Sequence, residues 1–355
     1  MDPIAKLQTA MEEAGLATLL ISDIGGVQWL TGFTGSFGYV LVTLTKSIFI
    51  TDSRYTIQAQ EQVPSLELRS FASPLRFVDL LGTIASELKL ESLGFEATSV
   101  NYSTFDDWQR ALPEVSLVPA PDLIGQLRMI KSAEEVNKIR SACALTDAAW
   151  THIQRMVQPG VTEYDLQLDL EFYMRRQGAA LAFEPIVVSG AKSARPHGKA
   201  SDKKLEKGDF LTCDFGAKVD GYCADLTRTV VVGEASDRHR ELYDLVLKAQ
   251  LECIAAMRPG VAAKDVDALA RFIFGDQAKY FGHGLGHGLG RLVHDTGRMN
   301  ATSTDILAVG QVWTVEPGLY IEGFGGVRIE DDVVVTETGV EILNHSPKHL
   351  TILPS

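Results

Sequence analysis

Asp214 lies in the run Thr212-Cys213-Asp214-Phe215-Gly216 and Asp225 in Tyr222-Cys223-Ala224-Asp225-Leu226-Thr227, with Val219-Asp220-Gly221-Tyr222 between them. Asp-Gly is a preferred centre for a two-residue type I′ hairpin turn. Counting outward from that turn, Val219 faces Tyr222 and Asp214 faces Thr227. Asp214 and Asp225 then share a sheet face as diagonal neighbours, roughly 7–8 Å apart or closer. Two like charges held that near are costly unless a cation neutralises them.

Glu316 and Glu330 add two more carboxylates, and between the two sets runs Phe281-Gly282-His283-Gly284-Leu285-Gly286-His287-Gly288-Leu289-Gly290. The glycines weaken helix formation, so His283 and His287 are expected on a loop and not as a helical His pair. The run also lacks the Gly-x-Gly-x-x-Gly spacing. Four carboxylates and one imidazole form a hard, oxygen-rich donor set that suits Mn²⁺ better than thiolate-seeking metals. Two ions roughly 3.5–4 Å apart would share the carboxylates as bridges and hold a water between them.

The elements that must position these groups are duplicated, with a period of about a hundred residues. One helical pattern ends in Met156-Val157-Gln158-Pro159-Gly160-Val161 and another in Met257-Arg258-Pro259-Gly260-Val261, and each is followed by a second helical pattern. Gly208 to Gly216 then matches Gly310 to Gly318, setting Asp214 opposite Glu316, and Asp225 before Val230-Val231-Val232 matches Glu330 before Val333-Val334-Val335. A helix-helix-hairpin unit used twice predicts a pseudo-two-fold domain with the acids converging near its axis. Before it, residues 1–125 alternate strands (Ala17 to Ile21, Tyr39 to Val42) with a helix over Phe77 to Leu88, a small α/β domain. A stretch through Pro113, Pro119 and Pro121 follows, and Ser132 with Glu135 has the form of a capping box opening a long helix. The sequence therefore predicts an α+β chain with domains 1–125 and 126–355.

Composition bounds the partners. With 45% hydrophobic and 22% charged residues the chain reads as globular, and a formal charge of -13 without basic runs disfavours nucleic acid and anionic lipid. The N-terminus lacks a signal pattern and no apolar run reaches membrane-spanning length, which predicts a cytoplasmic location. Cys143, Cys213, Cys223 and Cys253 show no Cys-x-x-Cys spacing and read as buried small residues.

Together with Gly284-Leu285-Gly286-His287, Val315-Glu316-Pro317-Gly318 and Val327-Arg328-Ile329-Glu330-Asp331, the two aspartate motifs resemble the pita-bread metallopeptidases of the prolidase and aminopeptidase P branch. Thr31-Gly32-Phe33 and Thr51-Asp52-Ser53-Arg54-Tyr55 resemble the creatinase-type N-terminal domain that accompanies that branch. The resemblance implies hydrolysis of a Xaa-Pro bond at the N-terminus of dipeptides or other short peptides. It implies two divalent ions, Mn²⁺ first and Co²⁺ or Zn²⁺ otherwise, on Asp214, Asp225, His287, Glu316 and Glu330. Glu316 would also handle the proton of the attacking water. His294 matches the catalytic histidine, and His197 and His283 match two further active-site histidines near the substrate's proline. Arg328 fits an arginine that orients the metal-site carboxylates. Arg298, four positions beyond His294, stands where some prolidases bind the free carboxylate of a dipeptide. A homodimer is implied as well, and the segment Thr31 to Tyr39, rich in glycine and aromatics, would suit a mobile lid.

Three readings compete. A methionine aminopeptidase shares the metal set but usually lacks the extra N-terminal domain. Creatinase and histone-chaperone relatives share the fold without these ligands. A regulatory protein could bind metal or peptide without turnover.

Overall fold

The computed structural model describes residues 2–353, which fall into two compact units, Met1–Leu127 and Arg128–Ser355. In the first unit, strands alternate inward-facing side chains between two helical layers. Leu20, Leu41, Ile48 and Ile50 pack on one face with the helix Phe77–Leu88, whereas Leu19, Ile21, Val40, Val42 and Phe49 pack on the other with Leu7 and Met11 of the helix Pro3–Glu13. This period of two is what a sheet covered on both faces requires. The sheet has six strands, in the order 67–71, 47–52, 39–43, 18–21, 92–96 and 116–120, with both parallel and antiparallel pairs. The segment Thr31 to Tyr39 alternates exposed residues with a buried aromatic. Phe33 is fully buried against Phe49 and Tyr55, and Thr34 and Ser36 are hydrogen-bonded to Gln62 and Tyr55.

In the second unit the duplication is visible strand for strand. Helices Ala133–Ile153 and Glu163–Arg176 precede strands Phe210–Phe215, Ala217–Val219, Tyr222–Cys223 and Leu226–Val232. Helices Asp237–Ala256 and Ala263–Phe274 precede Val312–Val315, Gly318–Ile321, Gly325–Arg328 and Asp331–Val335. The Ser132–Glu135 capping box does open the first of these helices. Equivalence extends to single backbone bonds: Gly160 N–H donates to Leu205 O and Gly260 N–H to Leu307 O, Gly208 to Val232 O and Gly310 to Val335 O. Matching glycines thus stand at matching turns, Gly160 and Gly260 between the two helices of each copy, Gly208 and Gly310 just before its first hairpin strand.

The copies are joined through their hairpins. Glu330 N–H donates to Thr227 O at 3.1 Å, Thr229 Oγ1 donates to Arg328 O at 3.0 Å, and a buried ion pair links Arg228 to Asp331 at 2.7 Å. Lys348 and Gln250 complete the hydrogen bonding of Asp331, so neither charge of the pair is left unsatisfied. Among the described residues no helix is long and apolar enough to cross a membrane.

Candidate metal and peptide site

The hairpin register is the one counted from the turn. Asp220 and Gly221 have φ of 50° and 81°, the positive pair that a type I′ turn needs, Val219 pairs with Tyr222, and Asp214 pairs with Thr227. In the second copy, Val315 pairs with Asp331 and Gly318 with Arg328, so Glu316 and Glu330 fall between two ladders in step. His287 enters from the glycine run. That run is mostly loop, but Gly286–Gly288 forms a short strand between Asp295–Met299 and Val312–Val315. Side chains at Gly286 or Gly288 would collide with the carbonyls of Thr314 or Thr296, at 2.1 and 2.0 Å. The glycines flanking His287 therefore admit neighbouring backbones as well as leaving room for imidazoles.

All ten residues singled out by sequence line one cavity of about 370 Å³: Asp214, Asp225, His287, Glu316, Glu330, His294, His197, His283, Arg298 and Arg328. Phe183, Ile186 and Val293 give it an apolar wall. Asp225, His287 and Glu330 each offer a ligand atom within 4.8 Å of the others. His287 Nε2 lies 3.7 Å from Asp225 Oδ2 and 3.6 Å from Glu316 Oε1. Its Nδ1 lies 3.1 Å from Gly288 O, and because a carbonyl can only accept, Nδ1 carries the proton and Nε2 presents its lone pair to the acids.

Asp214 is held by Arg328, 2.5 Å from Oδ2. Each nitrogen of that guanidinium is engaged within the protein: Nε donates to Thr227 Oγ1, one terminal nitrogen to Tyr320 Oη and Pro196 O, the other to Asp214. Arg328 thus turns its donors to the protein. Thr227 Oγ1 in turn donates to Glu330 Oε2 at 2.6 Å. Counting from the turn sets Thr227 opposite Asp214, and a hydroxyl beside two acids is the sequence signal for this contact. Tyr320, with no such signal, also donates to Nε2 of His283, whose Nδ1–H is bonded to Gly284 O. Both ring nitrogens of His283 are therefore occupied. His294 and His197 are exposed, the former with its ring edge-on to His287 at 4.4 Å and the latter on the turn Arg195 to Gly198. Arg298 folds one terminal nitrogen onto Asp295 O and Gly297 O, both at 2.7 Å.

The electrostatics fit a cation. Burial, then repulsion from neighbouring carboxylates, drives Asp225 and Glu316 well above the usual acid range, and burial with the charge of Asp214 pushes Glu330 up to about 8. Burial pushes His287 down to about 4, leaving it a neutral ligand, and it lowers His294 as well. Asp214 Oδ1 and Asp225 Oδ1 are buried with no hydrogen-bond partner. Orphaned carboxylate oxygens beside an aimed imidazole lone pair suit a hard divalent ion, whereas all four cysteines are buried and uninvolved in the cavity.

Residues 137–337 match the description of metallopeptidase family M24, and residues 3–130 that of the creatinase/prolidase N-terminal domain. The chain belongs to metallopeptidase family M24, and its duplicated unit has that family's pita-bread fold. The solved Xaa-Pro dipeptidase from Bacillus anthracis aligns with a TM-score of 0.96 and 40% identity over 99% of each chain. The X-Pro aminopeptidase from Thermotoga maritima gives 0.89 and 37% over 97% of this chain and 99% of that one. The Xaa-Pro dipeptidase of Pyrococcus horikoshii is 32% identical over 98% of each chain. The protein is accordingly a metallopeptidase of a family that uses divalent metal.

Proposed function

We propose that residues 126–355 form the catalytic domain of a cytoplasmic, homodimeric Xaa-Pro dipeptidase that removes the residue before proline from dipeptides and other short peptides. The observation that carries this reading is the convergence of two aspartates, two glutamates and one imidazole on one cavity, with two aspartate oxygens buried and unpaired. Asp214, Asp225, His287, Glu316 and Glu330 would hold two divalent ions, Mn²⁺ by the hardness of the donors. Bound there, the ions supply Lewis acidity to the carbonyl and acidify water to near neutral pKa.

The chain's own residues do the rest. Glu316 accepts a proton from the attacking water as its oxygen bonds the carbonyl carbon, and delivers it to the proline nitrogen as the C–N bond breaks. An imide nitrogen cannot leave as an anion, so that proton is required. His294, whose pKa is lowered by partial desolvation at the cavity rim, donates an N–H to the carbonyl oxygen as it gains charge. His197 and His283 flank the proline ring, His283 through its ring face because both its nitrogens are engaged. Arg328 orients Asp214. Arg298 is oriented by two carbonyls and would pair with the free carboxylate of a dipeptide.

The likeness to an X-Pro aminopeptidase supports a second reading, action on longer Xaa-Pro peptides. Mn²⁺-supported release from a Xaa-Pro dipeptide, a Xaa-Pro tripeptide and a Met-Ala peptide separates them. Preference for the dipeptide is expected; preference for the tripeptide favours the second reading, and cleavage of Met-Ala alone overturns both.

A further inference from the structure

His287 must point its lone pair at the acids, yet the chain around it is the least constrained by its own sequence. Glycines at 282, 284, 286 and 288 lose more freedom on ordering than any other residue. Something outside the run has to hold it. Helix Ala263–Phe274 places Asp267 and Arg271 one turn apart on the side facing the loop. Asp267 is fully buried; Oδ2 accepts from Arg271 Nε at 2.7 Å, and Oδ1 accepts from Leu285 N–H at 3.0 Å. Arg271 donates to Phe281 O at 3.2 Å and to His283 O at 2.7 Å, with its guanidinium 4.6 Å from the Phe281 ring centre. The pair thus grips the backbone at 281, 283 and 285, alternate residues of the segment leading into the strand Gly286–Gly288, and does so through charge-assisted bonds that need no side chain from the loop.

The first copy solves the same problem independently. Glu163, fully buried at the start of helix Glu163–Arg176, accepts from Ser189 N–H, Lys192 Nζ and Ser201 Oγ at 2.7–2.8 Å. One carboxylate therefore ties both ends of the segment that carries His197. In both copies a buried acid on the second helix, with a cation, fixes a histidine-bearing loop.

We propose that Asp267 and Arg271 are positioning residues, which set His287 and His283 for metal and substrate by fixing the backbone of residues 281–285. The metal readout below rests on the metal-centre reading; the exchange readout does not. Arg271→Ala is compared with Val266→Ala, a buried residue of the same helix that makes none of these bonds and serves as a control for lost packing. Calorimetric titration with Mn²⁺ alone is expected to show affinity lowered about 10–100-fold in Arg271→Ala, as for other groups that orient metal ligands. Val266→Ala should stay near the parent. Millimolar guanidinium should restore part of the loss, because Arg271 is one-third exposed and the vacated space opens to solvent. Hydrogen exchange of the metal-free protein should quicken over residues 281–288 in Arg271→Ala and not in Val266→Ala. Equal metal affinity in the two variants overturns the proposal. Should the parent protein bind no Mn²⁺, the metal-centre reading fails and exchange alone decides: faster exchange confined to 281–288 supports the proposal, and unchanged exchange overturns it.

Discussion

The two copies of the helix-helix-hairpin unit share backbone hydrogen bonds and differ in what they bring to the cavity. The first supplies Asp214 and Asp225; the second supplies Glu316, Glu330 and His287. Their acids are also held crosswise. Asp214 of the first copy is bonded by Arg328 of the second, and Glu330 of the second by Thr227 of the first. One acid of each copy is therefore oriented by a side chain of the other. The site is thus a property of the seam, and duplication produced a scaffold that divergence then equipped unequally.

The largest effect expected from breaking this division is at Glu316, for which Asp214 is the counterpart by position but not by role. Glu316→Gln keeps shape and removes the proton acceptor, and kcat on a Xaa-Pro dipeptide should fall about 10²–10⁴-fold in steady-state kinetics. An equal fall for a variant of Asp214 with metal still bound would show the two acids to be interchangeable. Next comes the seam itself. Arg228→Ala leaves Asp331 buried without its main partner and should cost about 3–5 kcal/mol in urea unfolding. A loss under 1 kcal/mol would mean the copies are joined chiefly by backbone and apolar contacts. Arg328→Lys keeps the charge and loses the three-way fork across the seam, so Mn²⁺ affinity should drop about 10–100-fold by calorimetry.

Arg298 stands on the strand Asp295–Met299 of the second copy, and Arg298→Ala should raise KM for a Xaa-Pro dipeptide about tenfold with little change for a tripeptide, the size of one charge-assisted hydrogen bond. Equal shifts for both substrates would remove it from carboxylate binding. The most graded effect is on pH dependence. Glu330 is pushed up to about 8, so between the ordinary glutamate value of 4.5 and about 8 the metal-free native state binds more protons than the unfolded chain. The contribution of Glu330 to stability should therefore fall as pH rises through that window, opposed below pH 6.5 by His283 and His287, which burial lowers to about 4, so the urea midpoint after chelation should decline from pH 7 to pH 8. Saturating Mn²⁺, which takes the place of those protons, should flatten the curve. A midpoint that rises over this range without metal would contradict the crowding of acids at the seam.

Much of this was legible in the residues. The Asp-Gly turn fixed the register that faces Asp214 with Thr227, and alternation in the N-terminal strands announced a sheet covered on both sides. The metal-ligand types stood out because they recur in order across a visible repeat. Tyr320 was not legible, because a tyrosine in a strand carries no mark of the two groups, His283 and Arg328, that meet at its hydroxyl. The short strand at His287 was hidden too: glycines advertise flexibility, and only the carbonyls of Thr296 and Thr314 pressing on Gly288 and Gly286 show that closeness was their use.

By itself the sequence determined which groups are present and, through period and turn chemistry, which of them share a face within each hairpin. Tertiary structure decided how the two hairpins meet, and with that which donor each carboxylate accepts from and which oxygens are left for a cation. The physical reason is range: turn and strand geometry act between neighbours a few residues apart, whereas Arg328 and Asp214 are 114 positions apart and meet only because the seam between the copies buries them together.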